Sequence, residues 1–248
     1  MSRFKAFGTH LVLSVAVLSA MLLVFVAWWF PMPYFVTEGG WRALRIIACV
    51  DMVVGPLLTL IVFNPKKSRR MLAFDMSVIG LVQICAMCWG LFTIYQERTV
   101  AVVFADGSFY TVGANTSAPI QAKLALENGY KPPHLVSVLP EGIEERQNVR
   151  KEALRSGNPI YLRSEFLAPM GRDNAAELER SARKAEKLFA KDPEGLEKFR
   201  GILQKLGKAE DEIYLFPVTA RYESFAVVID KKTLKIEEWI TSVTLSLN

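Results

Sequence analysis

Asp51 stands inside an apolar run that extends over residues 43–63. An ionisable side chain in hydrocarbon costs several kcal/mol unless it is paired or wetted, so its presence there is in itself a functional hypothesis. It lies eight residues into the run, roughly 12 Å along a helix and near the middle of a bilayer. Gly55 and Pro56 follow one turn later. Glycine leaves a thin helix face and proline has no N–H to return to the preceding turn, so a neighbouring helix can approach closely and use the freed carbonyl. Asp51, Gly55 and Pro56 are therefore the candidate contact for a partner helix, with a partner inside the same chain as the alternative. Arg45, nearer the start of the run, can extend its guanidinium to the membrane edge. Asp75, about one turn into the next apolar run, is in reach of Arg69 or Arg70.

The remaining chemistry is sparse. There are two histidines, His10 at the start of the first apolar run and His134 after a Pro-Pro pair, so neither a histidine pair for zinc nor a Ser/His/acid set is apparent. No G-x-x-x-x-G-K-[ST] loop, no G-x-S-x-G elbow and no D-x-D pair occurs. The expectation is no catalytic, cofactor or metal site. Cys85 and Cys88 have a redox-like spacing, but they sit in mid-run without a flanking His or acid and read as small lipid-depth residues. Glu144, Glu145 and the acidic trio at 210–212 read as solvated surface.

These side chains need elements to hold them, and the first 95 residues supply three apolar stretches at about 11–30, 43–63 and 72–95. Each is long enough to cross about 30 Å of hydrocarbon as a helix. The first continues past Ala20 into Trp28, Trp29 and Phe30, an interfacial aromatic belt, which argues against a cleaved signal peptide. Between the second and third lie Lys66, Lys67, Arg69 and Arg70. Short loops rich in Lys and Arg stay in the cytoplasm, so the N-terminus is expected inside and residues 96–248 outside, in the periplasm. The net charge of +5 resides in the first 95 residues, leaving 22 charges of each sign beyond them. The basic balance thus reflects topology and not a nucleic-acid surface. All three cysteines lie in the apolar runs, so the outer part folds without a disulfide.

Residues 96–248 read as one α+β domain. Two β-rich runs flank Asp106-Gly107, a hairpin signal. A helix is expected from about 119 to 127, capped at 115–117, and a short strand at 135–139. Helical patterns cover 141–155, 173–191 and 193–206, the last two pairing as a helical hairpin, and three closing β-rich runs at 212–220, 224–230 and 235–244 suggest an antiparallel meander.

The segment from Asp51 through Gly55, Pro56, Phe63, Asn64 and Pro65 to Arg70, preceded by residues 2–10 and by Gly39, Gly40 and Trp41, resembles the TfpX/TfpZ family of type IV pilin accessory proteins. The resemblance extends through residues 102–107 and so covers the membrane half, with no comparably sharp motif beyond about residue 115. It implies a multi-pass protein of the bacterial inner membrane that partners a cognate major pilin and other pilus assembly components. Its members are chaperone-like and influence pilus assembly or retraction. A pilin awaiting assembly keeps an apolar helix in the inner membrane and a globular head outside, so a partner needs helices at lipid depth and a periplasmic domain. A pilin helix also carries an acid near its cytoplasmic end, close to where the loop at 66–70 would lie. Two other classes stay open: a pilin-modifying enzyme such as a glycosyltransferase, disfavoured by the missing D-x-D, and a membrane-bound sensor, disfavoured by the small cytoplasmic portion.

Overall fold

The computed structural model describes residues 2–30, 32–116 and 132–246. The chain divides into two units, Met1–Arg98 and Thr99–Asn248. The helix expected at 119–127 lies outside the described residues.

The first unit contains three helices long and apolar enough to cross a membrane: α1 (Arg3–Trp29), α3 (Gly40–Val62) and α4 (Arg69–Glu97). A short α2 (Tyr34–Thr37) precedes α3 and buries Tyr34 and Phe35. Helix starts follow local chemistry: Ser2 accepts a hydrogen bond from the Lys5 N–H, and Ser68 accepts one from that of Met71. Both helices therefore start earlier than the apolar runs themselves. Gly39 takes the left-handed conformation (φ 84°) that turns the chain into α3. A Cβ at Gly40 would fall 2.5 Å from the Phe35 carbonyl oxygen.

α3 is the centre of the unit, with 28% of its apolar window buried against 17% for α1 and 11% for α4. Its inward stripe is Leu44, Ile47, Asp51, Gly55 and Thr59, spaced three to four residues apart. The outward faces carry exposed Leu23, Trp28, Ile61, Phe74, Leu81 and Trp89. Such faces suit lipid and would be costly in water. Within α3, residues Cys49–Val54 form a π-helical turn directly before Pro56. The proline ring would collide with the carbonyl four residues back, and the wider turn relieves that collision.

The second unit is a seven-stranded sheet of β1 (Thr99–Ala105), β2 (Ser108–Gly113), β3 (His134–Ser137), β4 (Leu167–Pro169), β5 (Ile213–Thr219), β6 (Ser224–Asp230) and β7 (Ile236–Ile240), ordered β4-β3-β1-β2-β5-β6-β7. Asp106 (φ 48°) and Gly107 (φ 81°) both take positive φ, as the tight β1–β2 hairpin requires. The β5–β6–β7 meander is antiparallel as expected. Two pairings, β1 with β3 and β2 with β5, are parallel. The sheet curls until the His134 ring of β3 lies 6.2 Å from that of Trp239 on β7, although four strands separate them. Phe104, Phe109 and Phe216 meet at 4.9–5.7 Å between ring centres where the two halves of the sheet join.

Among the described residues, four α-helices attend the sheet: α5 (Ile143–Ser156), α6 (Ala175–Glu179), α7 (Ala185–Leu188) and α8 (Pro193–Leu206). The helical hairpin expected from 173–191 and 193–206 needs correction. α8 forms, but its partner breaks into α6 and α7. The Arg183 N–H donates to the Leu215 carbonyl of β5 at 3.3 Å, and a donor given to the sheet cannot also continue a helix. Glu210 then accepts from the Ala185 N–H and starts α7 anew. Leu178, Ala185, Leu188 and Phe189 are still buried, but Ala182 is exposed. The last three join Phe199 against Ile213, Leu215 and Val228.

Candidate functional site

α1 and α4 both pack on α3 and touch each other little, which leaves a cleft of about 490 Å³ between them with α3 as its floor. One wall is Ala6, His10, Leu13, Ser14 and Val17, and the other is Met76, Ile79, Gly80, Gln83, Ile84 and Met87. Each set follows helical spacing, so each is one face of its helix. Beyond the cleft, α1 and α4 meet at Trp29 and Tyr95, 5.1 Å between ring centres.

Asp51 and Thr59 form the floor, two turns apart on the inward stripe of α3, and are 7% and 2% exposed. His10 and Thr59 share a hydrogen bond of 2.6 Å between Nδ1 and Oγ1. His10 also lies close enough to Asp51 for their charges to interact. Among the described residues, the Asp51 carboxyl has no hydrogen bond. Gln83 packs against the bare face of Gly55: a Cβ there would fall on the Gln83 amide nitrogen. The floor and walls thus bring an acid, an imidazole, the three hydroxyls of Thr9, Ser14 and Thr59, and an amide to one place among apolar helices. Each can hydrogen-bond a polar guest, and the Thr59 hydroxyl lies against the His10 imidazole, the pairing of a hydroxyl with a base.

The positions singled out in the sequence separate clearly. Asp51, Gly55 and Pro56 all face inward and are buried within the unit. Arg45 is exposed and donates from Nε to the Trp41 carbonyl one turn back, at 3.2 Å. Asp75 pairs with Lys67 and not with Arg69 or Arg70, because the turn at Asn64–Lys67 folds Lys67 back over the start of α4. Lys66, Arg69 and Arg70 are exposed at that turn. Cys49, Cys85 and Cys88 are free and exposed on outer faces. His10, Ser14, Thr59 and Gln83 were missed as members of a site. Their signal was present: Thr59 repeats the Asp51 face at two turns, and His10 lies with Ala6, Ser14 and Val17 on one stripe.

A second concavity of about 550 Å³, in the sheet unit, is lined by Glu141, Arg146, Asp173, Glu177 and Arg180. Glu177 Oε1 accepts from both Arg146 and Arg180 at 3.2 Å, so the charges there largely satisfy one another. No group of His, Cys, Asp and Glu among the described residues is arranged to hold a metal ion.

No family model and no solved structure matches the chain. Curated relatives do. The chain is 41% identical over 102 residues, 40% of its own length, to the fimbrial assembly protein of serogroups C1 and C2 of Dichelobacter nodosus, and covers 76% of that protein. Over the same length it is 41% and 40% identical to the fimbrial assembly proteins of serogroups I and E1, of which it spans 39% each. With that identity across three quarters of the first relative, the chain belongs to the family of these fimbrial assembly proteins.

Proposed function

We propose that the chain is a non-enzymatic accessory factor of a type IV pilus, of the TfpX/TfpZ kind, held in the bacterial inner membrane. The observation that carries the reading is the 41% identity to a protein named for fimbrial assembly. In this reading the N-terminus and the turn bearing Lys66, Lys67, Arg69 and Arg70 are cytoplasmic, and the sheet unit is periplasmic. The excess of cations at that turn supports the orientation. The partner is the cognate major pilin, whose apolar helix and external head match a protein with apolar helices in one unit and a folded domain in the other. The chain then stabilises the pilin before assembly, or sets the balance of assembly and retraction.

The test is a deletion strain, complemented in trans, with surface pili counted by electron microscopy and pilin recovered intact for mass measurement. The reading expects fewer pili, restored by complementation, and a pilin mass that does not change. Normal piliation without the chain would refute the assembly role. A changed pilin mass would instead favour a modifying enzyme.

A further inference from the structure

We propose that the groove between α1 and α4 seats one transmembrane helix of the major pilin, and that this helix brings a hydrogen-bond donor to Asp51. The proposal rests on the pilus-assembly reading above and adds where the partner is held.

Three observations converge. The first is shape: the walls run from Ala6 to Val17 and from Met76 to Met87. Eleven rises of a helix are about 17 Å, or three turns, on each side. The walls run in the same direction, since Ala6 faces the Met76 end and Trp29 meets Tyr95. Two parallel walls over a helical floor leave a trough in which a further helix can lie. The second is close approach. Ala6, Ser14 and Gly80 are small, and a Cβ at Gly80 would meet nothing within 4 Å. Small residues of this kind let helix backbones come together in lipid.

The third is polarity, and it selects the occupant. Asp51 is 93% buried by its own unit yet has no hydrogen bond among the described residues, and it lines the trough. Polar groups at this depth must be satisfied by protein or by enclosed water. An acyl chain fills the shape but has no donor to offer. A helix presenting an N–H or O–H side chain to the floor satisfies Asp51 and covers the apolar walls together. His10 and Thr59 are already joined, so Asp51, Ser14 and Gln83 are the groups left to receive it.

The experiment is site-specific photocrosslinking in membranes of the native host, with full-length chain. A benzoylphenylalanine is placed at Leu13 or Ile84 on the walls, and at Val12 or Leu81, which are exposed but turned away from the groove. Adducts are detected with antibody to the major pilin. The proposal expects Leu13 and Ile84 to yield at least tenfold more pilin adduct than Val12 and Leu81. Gly80→Leu, whose Cβ would meet no other atom within 4 Å and whose longer side chain enters the trough, should abolish the adduct at normal protein abundance. Asp51→Leu should lower it severalfold, and Asp51→Asn should keep part of it. Equal yields at all four positions would overturn the groove but leave pilin association standing. Adducts only to a second copy of the chain, or only to lipid, would also overturn it. No pilin adduct from any position would remove both the groove and the pilin reading. The four positions in the wild-type background decide the location, even where a substituted variant fails to accumulate.

Discussion

Phe216→Ala should cost the sheet unit most of the margin on which its two halves stay joined. The side chain is fully buried on β5 and lies 4.9 Å from Phe104 and 5.7 Å from Phe109, ring centre to ring centre. Backbone pairing between the halves is short: β2 meets β5 only at Phe109 with Val218 and Tyr110 with Thr219. The ring cluster therefore carries much of that junction. Truncating a buried Phe costs about 3–5 kcal/mol, against a total stability of about 5–15 kcal/mol for a domain. At about 2–4 °C per kcal/mol for a domain of this size, the melting temperature should fall by roughly 6–20 °C. The assay is thermal and urea unfolding of residues 97–248, followed by far-UV circular dichroism. Phe104→Leu with Phe216→Leu should couple by about 0.5–1.5 kcal/mol in a double-mutant cycle. A loss below about 1 kcal/mol in Phe216→Ala, with no coupling in the cycle, would refute the view that these rings join the halves.

Residues 97–248 should fold alone and melt in one transition that reductant leaves unchanged, since all three cysteines lie in the first unit; a fragment without cooperative unfolding would contradict this. A C-terminal alkaline phosphatase fusion should be active and a C-terminal GFP fusion dark, and the reverse pattern would invert the orientation drawn from Lys66, Lys67, Arg69 and Arg70. Asp230 is held well below the usual carboxylate range by hydrogen bonds from Lys208 Nζ and then from the Thr233 N–H. A carboxyl depressed on folding stabilises above its unfolded value, near 3.9, and loses that contribution as pH falls toward its folded value. The melting temperature of the wild type should therefore exceed that of Asp230→Asn from pH 5 to 8, and the gap should narrow steadily as pH falls from about 4 to 2. A gap of equal size at both ends would show that Asp230 acts by packing alone.

The first unit was legible because its signals are local. Length and apolarity mark three helices, four cations mark one turn, and Asp51 announces itself by being an acid in an apolar run. The hairpin at Asp106-Gly107 and the closing meander were legible for the same reason, each written in a few adjacent residues. The break between α6 and α7 was not, because its causes are distant: the Leu215 carbonyl and the Glu210 carboxylate claim backbone donors that a helical pattern reserves for itself. β4 has only three residues, and the two parallel pairings depend on which strands meet in space. Asp51, Gly55 and Pro56 were visible, but their inward direction, which brings Asp51 into the cleft, was not. The residues that gather round them, His10, Ser14, Thr59 and Gln83, come from three helices, and only packing brings them together.

The central claim is that this chain works in pilus assembly by holding the major pilin. Its most direct measurement is copurification from native membranes: the tagged full-length chain is isolated in mild detergent from cells that express their own pilin, and pilin is quantified in the eluate. Pilin should be recovered in a fixed ratio to the chain, and be absent when an unrelated three-helix membrane protein carries the tag. Pilin at background level, with the chain intact and abundant in the eluate, would contradict that claim.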